Sequence, residues 1–417
     1  MSGVLEVRFG AATVGLVAED DRFGLRFTYA AGWLAHGACF PVSLSLPLRA
    51  EPWLEEAAAW FGNLLPGAGA RAAVCGRLGL SEANDFALLR AIGGECAGAL
   101  QILDAEAPSS VAGASGEPRW LEGRDLSALV AVGAAPLLFG GPSVRLSLAG
   151  AQNKVPVVVR GESIGLPSGE SASTHLLKLP HPRFKHLPMN EAFVMGFAAS
   201  VGLEVAGTMV FRGTSPPSLL VQRYDRSSPA AGQPVARIHQ EDLCQATGRP
   251  AHRKYEQEGG PTLAECIAVV ARHAARPLVD VRRLVEWQAF NVVAGNADGH
   301  GKNLSIVYEA GSPRLAPFYD VLATRQYPAL DRFLAMGVGG ERDPDRLGRK
   351  HWESLAREAG LGPQLVASIV KGMAERCAAA LPEWVAEFTR LEGRQPILQT
   401  LPNAIARRAA AVARAMS

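Results

Sequence analysis

The sequence predicts an α+β protein whose strands come mainly before residue 240 and whose helices come mainly after it. Alternating or β-branched runs recur up to residue 224, and apolar residues recur at helical spacing beyond it. The composition, 48% hydrophobic and 20% charged, is that of a folded globular chain. At 417 residues the chain is too long for one compact core, so two or three domains are expected. Strands followed by helices favour a two-lobed arrangement.

Charge and cysteine content limit the function classes. A net charge of +2 makes no case for a strongly basic nucleic-acid binder. The six cysteines are scattered without a Cys-x-x-Cys pair, which indicates buried free thiols in a reducing compartment. The N-terminus has no signal-peptide pattern, and no apolar stretch approaches the ~20 residues that span a bilayer. We therefore expect a soluble cytoplasmic protein with no membrane partner.

The first 106 residues are expected to form a small α+β domain. A helical pattern begins at Trp53, and Ser81 is the expected N-cap of a second helix that carries Phe86 and Ile92 inward. The expected strands are residues 4–9, 13–17, 23–30 and 41–48, the last ended by its prolines.

A Pro/Ser/Gly-rich stretch at residues 107–118 is the best boundary candidate, so we place a connector at 107–140, a strand-rich domain at 141–240 and a helical domain at 241–417. The expected strands are 154–160, 174–179, 208–212 and 218–224. The expected helices are 125–132, 190–202, 261–275, 278–293, 350–359, 363–379 and 402–416. Arg407, Arg408 and Arg414 in the last helix are expected to lie on a solvated face, where cations suit a helix C-terminus.

A polar loop at residues 295–303 has the layout of a phosphoryl-transfer site. Asp298 is followed at plus five by Asn303, and Asp320 lies downstream. Kinases need that order: a carboxylate that accepts the proton of the acceptor hydroxyl, an amide on one Mg²⁺, and an acid on the metal that bridges the nucleotide phosphates. Asp-x-x-x-x-Asn alone is a weak signal, but the surrounding glycines, Lys302 at plus four and the later Asp320 increase its weight.

Other interpretations of this loop remain open. Asn, Asp and Gly all favour ordinary turns. A calcium-binding loop would need a closing Glu at position twelve, which the sequence lacks. His300 could be a zinc ligand, but no partner stands at ligand spacing, so it is expected to orient the loop or a phosphate. The apolar runs before and after the loop favour the order helix, polar loop, strand in which kinases carry base and metal amide.

Three further segments have a possible role in binding. Small residues at 145–154 precede a strand, and taken alone they favour a plain β-turn over an anion-binding loop. Lys178 stands in the apolar strand 174–179, on the face of Leu176. It is either an amine that meets phosphate, with Glu191 as its carboxylate partner, or a lysine that extends from an edge strand. Residues 219–225 are either an edge for a flat base or a plain strand end, and residues 239–242 are expected to open a helix, with Glu241 and Asp242 at its N-terminus.

These segments together resemble the HipA family of bacterial serine/threonine kinases, the toxin halves of toxin–antitoxin pairs. The segments similar to its N-terminal domain are residues 41–48, 61–66 and 93–100. The segments similar to its kinase domain are residues 147–154, 174–180, 239–248, 254–256 with 259–261, 296–303 and 315–320. Several ordered matches are more specific than any single one, and they imply a two-lobed protein-kinase-like fold with a small α+β N-terminal domain.

The resemblance also implies a role for each matching residue. Asp298 is the expected catalytic base, Asn303 and Asp320 the Mg²⁺ ligands, and Ser147 the autophosphorylated serine whose modification ejects the phosphate loop. The residues expected to bind ATP are Ala149, Gly150, Ala151, Gln152, Asn153, Lys154, Lys178, Gln222, Arg223, Tyr224, His300, Lys302 and Tyr319. Two departures are noted: Gln222 stands where some relatives carry Glu, and Ala297 and Gly301 are small variants in the loop.

The implied function is an ATP- and Mg²⁺-dependent serine/threonine protein kinase that arrests growth by phosphorylating a cytosolic protein, with an aminoacyl-tRNA synthetase as the precedent. A helix-turn-helix, HipB-like antitoxin is the implied partner, and DNA is reached only through it. Two alternatives stay open: a small-molecule kinase of the antibiotic-phosphorylating type, against which residues 1–106 argue, and a binding protein that keeps the fold without catalysis, against which intact Lys178, Asp298, Asn303 and Asp320 argue.

Overall fold

The computed structural model describes residues 3–19, 24–106, 117–132, 154–168, 171–227, 235–309 and 311–417. The chain divides into two compact units. The first comprises Met1–Leu179, Phe211–His252 and Val307–Gly311, and the second comprises Pro180–Val210, Arg253–Ile306 and Ser312–Ser417. None of the helices in these described ranges combines the length and apolar character that a membrane crossing requires.

The elements within the described ranges are numbered in chain order. The strands are β1 Val4–Phe9, β2 Ala12–Glu19, β3 Leu25–Tyr29, β4 Leu100–Asp104, β5 Arg119–Trp120, β6 Lys154–Arg160, β7 Ser163–Leu166, β8 His175–Lys178, β9 Thr208–Phe211, β10 Ser218–Gln222, β11 Gln240–Asp242, β12 Ser305–Glu309 and β13 Ser312–Leu315. The helices are α1 Ala31–Leu34, α2 Glu55–Gly62, α3 Ala68–Leu78, α4 Asp85–Ile92, α5 Gly123–Val132, α6 Leu187–Ser200, α7 Leu243–Ala246, α8 Leu263–His273, α9 Pro277–Ala294, α10 Arg349–Glu358, α11 Pro363–Glu392 and α12 Leu401–Met416.

An antiparallel sheet of order β3-β2-β1-β4 opens the first unit. Its strands alternate, so that Leu5 and Val7 of β1 are fully buried while their neighbours are not. Trp60 and Phe61 of α2 and Leu89 of α4 belong to the same core. The three strands expected at the start of the chain are therefore confirmed.

Two expectations for this region are wrong. Residues 41–48 form turns with one isolated bridge, Ser43 to Leu46, because prolines cannot donate to a ladder and the Leu44 N–H donates to Glu241 Oε1 at 3.0 Å. Helix α4 is capped by Asn84, whose side-chain oxygen accepts the Ala87 N–H at 2.8 Å. Ser81 instead accepts the Ala83 N–H at 3.3 Å within the preceding turn.

A second antiparallel sheet follows in the first unit, with β5, β7, β6, β8 and β10 as successive neighbours. Its apolar face buries Leu129 of α5 with Val155, Leu177 and Leu220. The expected helix 125–132 and the strands of this region are confirmed, with bounds that differ by one to two residues for most of them.

At the end of the first unit, strand β11 passes into the short helix α7. Asp242 caps α7, because its side chain accepts the Gln245 N–H at 2.9 Å. The Gln245 side chain in turn accepts the Asp242 N–H at 2.9 Å, which completes a capping box. Glu241, which was expected at the same helix start, is instead fully buried within β11.

The second unit is mostly helical, and its boundaries follow recognisable signals. Thr262 and Glu265 form a capping box at the start of α8. Gly295, with φ at 80°, ends α9 in the left-handed conformation that glycine adopts without strain. The expected helices are confirmed, except that α11 runs through Pro382 to Glu392 rather than ending at 379.

Candidate active site

The loop that carries Asp298 begins at the end of α9. The N–H groups of Gly295 and Asn296 both donate to the Asn291 carbonyl at 2.9 Å. The Asn296 side chain donates to Asn291 Oδ1 at 3.0 Å and accepts the Asp298 N–H at 3.1 Å. The Asn296 side-chain amide therefore both donates and accepts a hydrogen bond, and it orients the backbone just before the Asp298 carboxylate.

The backbone of Ala297 connects the same loop by hydrogen bonds to two later segments of the second unit. Its N–H donates to Thr324 Oγ1 at 2.7 Å, and its carbonyl accepts the Ala335 N–H at 2.8 Å. The residue is 4% exposed, so a small side chain suits this position.

Asp298 itself is exposed and accepts a hydrogen bond from the Tyr255 hydroxyl at Oδ1, 2.8 Å away. The protein around the carboxylate removes part of its hydration, and this desolvation raises the pKa of Asp298. The charge of Lys254 and the Tyr255 hydrogen bond act in the opposite direction. A carboxylate with a raised pKa and one anchored oxygen is suited to accept a proton.

Lys254 and Tyr255 are functional candidates to which the sequence analysis gave no role. The Lys254 ammonium lies 4.8 Å from the centre of the Tyr255 ring. The segment 254–256 counted only toward the family resemblance, although a lysine and a tyrosine inside a matching motif were a signal that could have been followed.

His300 belongs to the same loop and is 6% exposed. Its ring packs edge-on against Tyr255 with 5.2 Å between centroids. Burial, reinforced by the charges of Lys254 and Lys302, holds the pKa of His300 well below its ordinary value. The imidazole is therefore neutral at pH 7 and packs within the loop.

Asn303 and Asp320 come together in the second unit. Asn303 Oδ1 accepts the His300 N–H at 3.2 Å, and its Nδ2 donates to Asp320 Oδ2 at 3.3 Å. Amide and carboxylate oxygens are ligands that Mg²⁺ takes, so the pair suits that metal once the amide turns its oxygen toward the ion. Asp320 has φ at 60°, a conformation that is rare outside glycine and that recurs at functional sites.

Tyr319 stabilises the chain on the other side of Asn303. Its hydroxyl donates to the Lys302 carbonyl at 2.7 Å and lies 2.8 Å from Ser305 Oγ. Asp298, His300, Lys302, Asn303, Tyr319 and Asp320 are therefore neighbours within one unit, although 22 positions separate the first from the last.

In the first unit, Lys178 and Lys154 stand directly opposite each other on β8 and β6. Cross-strand partners share a face of the sheet, and like charges placed this way repel. Lys178 is 4% exposed, and Leu177 and Leu179 are buried on the other face, as the alternation predicts. The sheet therefore places two positive charges side by side on one face.

The expected adenine edge, residues 222–224, begins at the last residue of β10 and extends two residues beyond it. Gln222 stands opposite His175, and the Arg223 N–H donates to the Thr174 carbonyl at 3.0 Å. The Arg223 guanidinium is 5% exposed and bonded to Asp225, so it is directed into the core of the unit. Any contact of Arg223 with a base would have to come from its backbone carbonyl.

Several expected site residues are not placed by the structure. Ser147, Ala149, Gly150, Ala151, Gln152 and Asn153 lie outside the described residues. Glu191, the expected partner of Lys178, is fully buried on α6 in the second unit, and its pairing stays a prediction.

An α+β chain that carries Asp298, Asn303 and Asp320 in this order has the layout of the kinase class of folds. Comparison with known proteins identifies the family. Residues 146–381 match the model of the HipA-like C-terminal domain, and residues 5–103 match that of the HipA N-terminal domain.

Individual relatives agree with this assignment. The chain is 42% identical over 382 residues to Y4mE of Sinorhizobium fredii, which is named as a kinase, with 91% of both chains covered. It is 28% identical over 393 residues to the serine/threonine-protein kinase toxin HipA of Shewanella oneidensis, covering 91% of this chain and 88% of that one. HipA in a Shewanella oneidensis complex with HipB and operator DNA superposes with a TM-score of 0.82 at 25% identity, over 99% of this chain and 96% of that one.

The chain belongs to the HipA family. The expected α+β kinase-like fold and the expected enzyme class, a serine/threonine-protein kinase, are confirmed. The roles of individual site residues and the domain boundaries stay predictions.

Proposed function

We propose that this chain transfers the γ-phosphoryl group of ATP to a serine or threonine of a cytosolic protein, with Mg²⁺ as cofactor. The observation that carries the proposal is the grouping of Asp298, Asn303 and Asp320 within the second unit, with Tyr255 bonded to the carboxylate. The opposed cations Lys154 and Lys178 of the first unit supply the phosphate-binding charge.

In this mechanism Asp298 accepts the proton of the acceptor hydroxyl, and Tyr255 holds the carboxylate in place. Asn303 and Asp320 would hold Mg²⁺, which neutralises charge on the nucleotide phosphates when bound. Lys178 and Lys154 contact phosphate oxygens, and Gln222 to Tyr224 border the adenine. Residues 149–153, His300, Lys302 and Tyr319 complete the proposed nucleotide site.

The proposed biological role is that of a toxin in a type II toxin–antitoxin system in the cytoplasm. The similarity to a HipA solved together with HipB and operator DNA supports a HipB-like, helix-turn-helix antitoxin as partner, with DNA reached only through it. The net charge of +2 agrees with a chain that does not itself bind DNA strongly. An aminoacyl-tRNA synthetase is the substrate class that the family resemblance suggests.

Autophosphorylation of Ser147 is the proposed off-switch. A phosphate would add nearly two negative charges beside a loop proposed to hold phosphate, and like charge would drive the loop away. Ser147→Ala should remove this inhibition, and mass spectrometry of protein incubated with Mg-ATP would locate the phosphate.

Asp298→Asn tests the catalytic assignment. We expect phosphoryl transfer from radiolabelled ATP, both to the chain itself and to proteins of a cell extract, to fall at least about 100-fold, because a positioned base contributes that much. Growth arrest on expression should disappear with it.

The matched control is Glu375→Gln, which removes one exposed carboxylate from α11 of the same unit. Its transfer rate should equal that of the unchanged chain. Transfer or growth arrest that survives in Asp298→Asn would contradict the assignment of Asp298 as base.

A further inference from the structure

Five charged side chains form a buried cluster in the first unit, which we call the Glu95 cluster: Glu95, Arg223, Asp225, Arg226 and Arg237. Their side chains are between 2% and 12% exposed. Charged groups are rarely buried to this degree unless they are paired, so their arrangement calls for an explanation.

Glu95 lies at the centre of the cluster. Its Oε1 is 3.1 Å from Arg223 Nη1 and 3.0 Å from Arg226 Nη2, and it accepts the Ser173 hydroxyl at 2.7 Å. Arg237 forms an ion pair with Oε2. Burial alone would raise the pKa of Glu95, but the three guanidinium groups and the Ser173 hydrogen bond outweigh it and lower the pKa to about 2.

Asp225 joins the cluster to the backbone. Arg223 binds it in a bidentate manner, with Nε to Oδ1 at 2.9 Å and Nη2 to Oδ2 at 2.6 Å. The Gly98 N–H donates to Asp225 Oδ2 at 2.6 Å. Gly98 has φ at 81°, and a Cβ there would lie 3.1 Å from the Gln240 backbone, so this close approach requires glycine.

The cluster thus connects two distant parts of the chain. Residues 95–98 belong to the segment matched by the HipA N-terminal domain, and residues 223–226 directly follow β10. Arg223 and Arg226 also donate to the Cys96 carbonyl at 3.0 and 3.2 Å, and Arg226 donates to the Gly98 carbonyl at 2.9 Å.

Tyr224 stands between two members of the cluster. Its hydroxyl donates to Gln240 Oε1 at 2.7 Å. Arg223 and Asp225, its two chain neighbours, are both held by buried charge pairs. These contacts link the residues on both sides of Tyr224 to the N-terminal segment, because Arg223 donates to the Cys96 carbonyl and Asp225 accepts the Gly98 N–H.

The energetics of buried ion pairs favour a role in positioning the backbone over a role in stability alone. A buried ion network is often no more stabilising than apolar residues of the same volume, whereas removing one partner leaves an uncompensated charge. Apolar contacts would join the two segments as firmly, but they are not directional. Bidentate and charge-assisted hydrogen bonds fix orientation.

We propose that Glu95 is a positioning residue for nucleotide binding, through which residues 1–106 set the backbone geometry of the adenine edge at 222–224. This inference rests on the proposed function, because that edge is itself a proposed part of the ATP site.

Glu95→Gln in the full chain tests the proposal. We expect the Kd for a fluorescent ATP analogue and the KM for ATP to rise about tenfold, the cost of one lost charge-assisted hydrogen bond. The kcat at saturating ATP should change less than twofold, because Glu95 touches no reacting group. A defect confined to stability would lower the amount of folded protein without raising Kd.

Glu241→Gln is the matched control. It alters another fully buried carboxyl, which accepts its hydrogen bonds from Ser43 and Leu44 of the same N-terminal segment and from Tyr308 rather than from residues 223–226. Its affinity for the ATP analogue should equal that of the unchanged chain.

Ser173→Ala is the second variant, for the case that Glu95→Gln does not fold. It removes the hydrogen bond that the Ser173 hydroxyl donates to Glu95 and the one that it accepts from Arg223 at 2.9 Å, and it leaves every charge in place. A two- to threefold rise in Kd is therefore expected, about half a kcal/mol. Unchanged affinity in folded Glu95→Gln, or in Ser173→Ala when only that variant folds, overturns the proposal. Failure of the unchanged chain to bind the analogue would instead contradict the proposed kinase function.

Discussion

At the scale of single residues, the carboxylate of Asp298 depends on a hydroxyl 43 positions away in the sequence. Tyr255 bonds only Oδ1, so it sets the rotation of the carboxylate without neutralising it. The polar loop predicts Asp298 and Asn303 because their spacing is local. It cannot predict the contact with Tyr255, because that contact depends on the tertiary fold, which brings a residue 43 positions earlier next to the loop.

Tyr255→Phe should lower kcat about tenfold, the cost of one hydrogen bond to a charged group, with little change in the KM for ATP. The hydrogen bond lowers the pKa of Asp298, so its loss raises that pKa. Because the ionised carboxylate is the active form, the acidic limb of the pH–rate profile should move to higher pH. An unchanged profile with normal kcat would contradict the role given to Tyr255.

At the scale of elements, α12 supplies hydrogen-bond donors to the carbonyl groups at the C-terminal end of α9. Arg408 donates from Nε to the Val293 carbonyl at 2.8 Å and from Nη2 to the Ala294 carbonyl at 2.7 Å, in the last turn before Gly295. The expectation that Arg408 lies on a solvated face is wrong, whereas Arg407 and Arg414 are exposed as predicted. Helical periodicity identifies α12 and its apolar face, but it does not show which other helix end a given arginine reaches.

Arg408→Ala should lower the free energy of unfolding by about 2 kcal/mol, because two carbonyls at a helix end lose a charged donor. Arg407→Ala, one position earlier and exposed, should stay within about 0.5 kcal/mol of the unchanged chain. Urea denaturation followed by tryptophan fluorescence measures both. Equal effects of the two substitutions would show that the contact to α9 is not stabilising.

At the scale of the whole molecule, the first unit contains a further buried carboxyl that joins distant segments, in addition to Glu95 and Asp225. Glu241 accepts hydrogen bonds from the Ser43 hydroxyl, from the Leu44 N–H at 3.0 Å and from the Tyr308 hydroxyl at 2.5 Å. Burial raises the pKa of Glu241 to about 7, although these hydrogen bonds favour the charged form; the charge of Asp242 adds to the rise.

The stability of the protein should therefore depend on pH through Glu241. Between about pH 4.5 and about pH 7 the folded state holds a proton that the unfolded state has released, so the free energy of unfolding falls as pH rises through this window. The fall should be at most about 3 kcal/mol, and in Glu241→Gln it should be absent. Denaturation at pH 5 and pH 8 measures it, with Glu375→Gln as control; an identical slope in Glu241→Gln would contradict this origin.

The sequence predicts the overall fold well and the buried polar contacts poorly. Periodicity and turn residues identify most helices and strands, because those signals lie within a few positions of each other. Glu95 shows no local pattern, since its partners Arg223, Arg226 and Arg237 all lie more than 100 positions away. Glu241 was assigned to a helix start for the same reason: its partners lie near residues 43 and 308.

The left-handed backbone at Asp320 restricts which amino acids can occupy that position. Glycine and asparagine tolerate a φ of 60° but bring no charge to a metal ion. Glutamate brings the charge, but its longer side chain does not offset the left-handed conformation through the local hydrogen bonds that a short one makes. For the proposed role of Asp320 as a Mg²⁺ ligand, aspartate satisfies both the dihedral and the charge, so the genetic code leaves two codons for this position where that role is retained.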